Sequence, residues 1–133
     1  DLHNRMSRDP RDMESLIALS KAYLQRGDLG QAGVIAQSII DGETAKGNVL
    51  ADAFTVRGLT AIAAGKDPLA REMFNKAIIE EPQHNAANTN LASLLQHYGF
   101  HKEAKVRLRQ VTKGEDVSAL IHYKARQATL ANN

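Results

Sequence analysis

Apolar residues recur at three- and four-residue spacing along almost the whole chain, and short polar breaks cut the pattern into blocks. Leu16, Leu19, Ala22 and Tyr23 mark one face over 12–26, which stops at Gly27-Asp28. Leu29, Ala32, Ile35, Ala36, Ile39 and Ile40 continue over 29–40, up to Gly42. Further blocks cover 49–64, 67–80, 85–98 and 101–113, ending at Gly65, near Pro82, at Gly99 and at Gly114; a last one covers 116–131. Such spacing is that of an amphipathic helix, and no stretch alternates strictly as a half-buried strand does. Asp67-Pro68 reads as a cap with a first-turn proline, and Asp116 as the cap of the last block. The pattern predicts an all-α chain of seven helices, with the polar stretch 41–48 (DGETAKGN) as its longest break.

The blocks repeat in pairs. When Gly27, Gly65 and Gly99 are aligned, the fifth residue beyond each is Ala32, Ala70 or Ala104. Four further on stand Ala36, Phe74 and Leu108, and three beyond those Ile39, Ala77 and Val111. Seven residues before each glycine stand Ser20, Gly58 and Ala92, all small. The second and third units are offset by 34 residues and the first and second by 38, the surplus falling in the polar loop. Small residues at fixed helical positions imply close backbone approach there, with Phe74 filling the space between Ala70 and Ala77.

This spacing resembles the tetratricopeptide repeat family, whose helix-turn-helix unit recurs every 34 residues or so. The best unit is ADAFTVRGLTAIAAGKDPLAREMFNKAIIEEP (51–82), with Phe54, Gly58, Ala70, Phe74, Ala77 and Pro82 at the family's positions. The chain departs from the pattern at Arg57, where Leu is usual, at Ala61 for Tyr, at Ala36 for a large residue and at Asn88 for Trp or Leu. The third unit lacks the closing proline. The resemblance implies an α-solenoid of about three units, over roughly 13–44, 51–84 and 85–113, with a C-terminal capping helix over about 116–131. In that cap Ala119, Leu120, Tyr123 and Gln127 would line one side, with Lys124 and Arg126 facing water. Residues 1–10 end in Asp9-Pro10 as the second unit ends in Glu81-Pro82. They fit the tail of a preceding repeat, in a fragment of a longer array, as well as a leader.

In this family ligands lie against the first helices of the units. The matching positions form an expected partner-binding groove: Ile17, Lys21 and Leu24 in the first unit; Asp52, Val56, Leu59 and Ile62 in the second; Asn90, Ser93 and His97 in the third. Glu14, Ala18, Gln25, Thr55, Ala63, Ala86, Thr89 and Gln96 stand at further groove positions. Val56, Leu59 and Ile62 make its expected centre apolar, the mark of a peptide or helix site. The Lys/Asn/Arg cage of the chaperone-binding members is missing, since the corresponding positions are Ile17, Lys21, Val56, Ala86 and Asn90.

Composition and charge change this picture little. The net charge of +2 is too small for a dedicated nucleic-acid binder. Without cysteine there is no disulfide, thiolate metal site or cysteine nucleophile. No apolar run reaches membrane-span length, SLIALSKAYL (15–24) being broken by Ser and Lys. His97 and His101 have metal-pair spacing, but Gly99 between them places a turn there, and no metal or cofactor is expected. The carboxylate pairs Glu80-Glu81 and Glu115-Asp116 read as solvated charge or caps, and Lys105, Arg107, Arg109 and Lys113 as a solvated basic face.

The expectation is a non-enzymatic protein-interaction scaffold or adaptor that holds a partner's peptide or helix, in an oligomer or alone. Its small, degenerate repeats look like those of bacterial envelope proteins that assemble pili, secretion or motility machines. The alternatives are a regulatory or oligomerisation domain of a larger protein, and a basic-face adaptor for acidic partners. The compartment, cytoplasm or bacterial envelope, stays open.

Overall fold

The computed structural model describes residues 10–111, and within them the chain is all-α. Six helices follow one another: α1 Pro10–Arg26, α2 Leu29–Asp41, α3 Gly47–Ala63, α4 Asp67–Glu80, α5 Asn85–His97 and α6 His101–Leu108. Six of the seven expected helices fall within the described residues and are present with shifted ends. Pro10 opens α1, as suits a residue without an N–H to satisfy, so it starts a helix where a closing proline was one expectation. Asp67 is the first residue of α4 with Lys66 at the cap position, and the Asp67 carboxylate accepts from Tyr98 Oη at 2.5 Å. α6 stops five residues before the expected 113, because Gln110 N–H and Val111 N–H turn back to the carbonyls three residues earlier. The expected cap over 116–131 and most of the leader lie outside the described residues.

Three turns of one design join the helices into pairs. Gly27, Gly65 and Gly99 have φ of +84°, +78° and +87°, a region L side chains avoid. After each glycine the next N–H reaches back five residues: Asp28 to Tyr23, Lys66 to Ala61 and Phe100 to Leu95, at 2.9, 2.8 and 2.8 Å. The glycine N–H bonds three residues back, completing a Schellman motif each time. The aligned glycines thus mark three equivalent hairpins: α1–α2, α3–α4 and α5–α6.

Within the hairpins the small residues stand where the helices meet. A Cβ built on Gly58 would lie 2.4 Å from Phe74 Cε1, so the ring takes the space a side chain would need. Ala70, Phe74 and Ala77 are fully buried. In the first hairpin the equivalent Ser20 is buried and its hydroxyl donates to the Ala32 carbonyl at 2.8 Å, tying α1 to α2. Each helix packs on its neighbours in sequence, and α1 and α5 both also pack on α3. α3 is therefore the central element, touched by α1, α2, α4 and α5.

That central place explains the largest departure from the expected groove. Ala51, Ala53, Thr55, Val56, Gly58, Leu59, Ala61 and Ile62 are all buried, which leaves α3 with almost no open face. Val56, Leu59 and Ile62, expected at the centre of an apolar groove, are core residues, each 2% exposed. Ile17 and Leu24 on α1 join them in the same cluster. The physical reason is that a helix with neighbours on every side buries its apolar residues all round, so facing cannot be taken from sequence position alone.

Candidate functional site

With those five residues in the core, the first helices α1, α3 and α5 present a polar face. Glu14, Lys21 and Gln25 are exposed on α1, and Gln96 and His97 are exposed on α5. Asp52 on α3 and Ser93 on α5 are partly exposed, while Asn90 is fully buried.

A charged line crosses this face and joins all three hairpins. Lys21 Nζ on α1 lies 2.6 Å from Asp52 Oδ2 on α3. The other carboxylate oxygen, Oδ1, lies 2.5 Å from Nε2 of His84, at the N-cap of α5. The second ring nitrogen of His84, Nδ1, accepts from Ala87 N–H at 3.1 Å and caps the helix. With Nδ1 accepting, the ring proton sits on Nε2 and points at Asp52. Burial pushes the Asp52 carboxyl up; hydrogen bonds from His84 and Lys21 and the positive charge of Lys21 outweigh it and hold the group below its ordinary value of 3.8.

Asn88 and Asn90 start along α5. Asn88 is buried and donates from Nδ2 to the Pro82 and His84 carbonyls, at 3.1 and 2.8 Å. Its Oδ1 accepts from Arg107 Nη1 at 3.4 Å. Arg107 is therefore tied across the third hairpin, which takes it out of the expected solvated basic face. Lys105 and Arg109 are exposed, and Lys113 lies outside the described residues. Asn90 Nδ2 donates to Ala86 O at 2.8 Å, but its Oδ1 and the buried Thr89 Oγ1 find no hydrogen-bond partner. Both atoms are themselves buried, so each costs free energy where it stands.

Of the expected groove residues, the structure brings Lys21 and Asp52 into contact and leaves Asn90 with an unanswered acceptor. Ser93 and His97 stand further along α5, and the His97 ring packs edge-on against Tyr98. Gly99 separates His97 from His101, one ending α5 and the other opening α6. Glu80 has the capping role read for the carboxylate pair, its Oε1 accepting from Gly47 N–H at 2.7 Å at the start of α3.

Sequence reasoning missed His84. Histidine is not among the residues favoured at an N-cap, so nothing local announces its role. Its contact with Asp52, 32 residues away, is equally hidden from local pattern. Comparison with family models, curated proteins and solved structures finds no match.

Proposed function

We propose that this chain is a non-enzymatic interaction module, a short tetratricopeptide-like stack of three helix pairs. On this reading α1, α3 and α5 hold a partner's segment against their shared face. The reading is supported by the three equivalent glycine turns and by the contacts of α1 and α5 with α3, which give the first helices one continuous side. The observation that carries it is the Lys21–Asp52–His84 line across that side, with the partly exposed Ser93 and the exposed His97 further along α5.

Because the apolar centre is core, the partner segment is recognised by polar groups. An extended peptide supplies main-chain N–H and C=O groups at regular intervals, which suits Ser93 and the Lys21–Asp52 pair better than an apolar helix does. Such a module would serve as a scaffold or adaptor in assembling larger machines.

The test is selection of binding peptides from a random library on the whole chain, followed by amide mapping of the complex. Shifts concentrated at Lys21, Asp52, Asn90, Ser93 and His97 are expected. Selected peptides that shift only residues of α2, α4 and α6 would contradict the reading.

A further inference from the structure

A cleft recurs at the outer edge of both junctions between hairpins. The first, of about 570 Å³, lies between α2 and the C-terminal half of α3. The second, of about 280 Å³, lies between α4 and the C-terminal half of α5. The repeat offsets map them onto each other, so Gly30, Gly33 and Ala64 of the first correspond to Pro68, Arg71 and Tyr98 of the second.

The second cleft satisfies itself. Its Arg71 pairs with Glu103 at 3.4 Å and stacks over the Phe100 ring at 5.5 Å. In the first cleft the residue equivalent to Glu103 is Leu69, and the cations that line it are Arg57 and Lys66. Arg57 is half-buried, with Nε donating to Gln37 Oε1 at 2.9 Å and Nη1 to Thr60 Oγ1 at 2.8 Å, both neutral acceptors. Among the described residues no carboxylate pairs with it. A guanidinium held in place by neutral groups, with no counter-ion, is a fork prepared for a carboxylate.

The walls admit a chain. A Cβ at Gly30 would meet nothing within 4 Å, and one at Gly33 would make only ordinary contacts with Thr60 and Arg57, so internal packing demands neither glycine. Val34 beside them is 67% exposed.

We propose that the first cleft docks an acidic protein segment. A Glu or Asp carboxylate of the segment would pair with Arg57, and its backbone would cross Gly30 and Gly33 with an apolar neighbour on Val34. Asp52 and Arg57, five residues apart on α3, point roughly 140° apart around the helix. This surface is therefore distinct from the polar inner face, and failure of one proposal leaves the other standing.

The probe is a fluorescent peptide of Ala and Leu with one central Glu, titrated into the whole chain beside its Gln counterpart and beside acetate. The Glu peptide is expected to shift the Gly30, Gly33 and Ala64 amides and the Arg57 Nε–H resonance. The Gln peptide should bind at least about ten-fold more weakly, the loss expected for a charge-assisted pair. Arg57→Gln should abolish the difference between the two peptides. Gly33→Leu, which fills the cleft, should block both peptides, and it carries the test if Arg57→Gln fails to fold. Equal binding of the two peptides, no saturable shift at these residues, or acetate reproducing the whole effect would overturn the proposal.

Discussion

Gly33 and Gly58 both lie inside helices, where glycine costs about 1 kcal/mol relative to alanine, yet they stand there for opposite reasons. At Gly58 the Phe74 ring occupies the place of a Cβ, while at Gly33 the nearest atoms are at an ordinary 3.5 Å. Gly58→Ala should therefore destabilise the fold by about 1–3 kcal/mol through overpacking. Gly33→Ala should stabilise it by about 0.5–1 kcal/mol. Urea titrations of the two variants check this, and the same sign for both would remove the packing argument. Asp52 belongs to the same scale. Its folded pKa lies below the ordinary 3.8, so the stability it contributes is present above that value and lost as pH falls through the folded pKa. Asp52→Asn removes that contribution, so the stability gap between wild type and variant should shrink below about pH 4. A gap independent of pH down to full acid unfolding would mean that the carboxylate's ionic partners do not stabilise the fold.

Among the helices, α3 shows what a sequence pattern can and cannot carry. The existence and order of the six described helices were legible because the glycines at 27, 65 and 99 sit where a left-handed turn is needed and the apolar spacing holds between them. The close approach of α3 and α4 was legible too, since Gly58, Ala70 and Ala77 are small for a reason that local pattern displays. The facing of Val56, Leu59 and Ile62 was not. A helix buried on nearly all sides has no polar stripe to fix its orientation, and only tertiary contacts decide it. The start of α3 is set from outside the helix, by Glu80 of α4 accepting from Gly47 N–H. A carboxylate at that end is favoured both as acceptor and against the helix dipole, so Glu80→Ala should cost about 1 kcal/mol in thermal or chemical melts. An unchanged melt would show that water replaces it without loss.

At the scale of the molecule, the candidate site was half legible. Lys21 and Asp52 were picked out by their place on the first helices, but the extension of their pair to His84 depends on a contact between distant units that no local signal encodes. Ser93 offers the cleanest probe of the shared face. It is partly exposed on α5, and its repeat equivalent on α1 is Lys21, a long cation that the fold already accommodates. The decisive measurement is thermal melting paired with affinity for a library-selected peptide, on the wild type and on Ser93→Arg. A native melt with affinity reduced by about 2 kcal/mol, the loss typical of a disrupted central contact, is the expected result. A native melt with undiminished affinity would contradict the assignment of this face as the place where the partner binds.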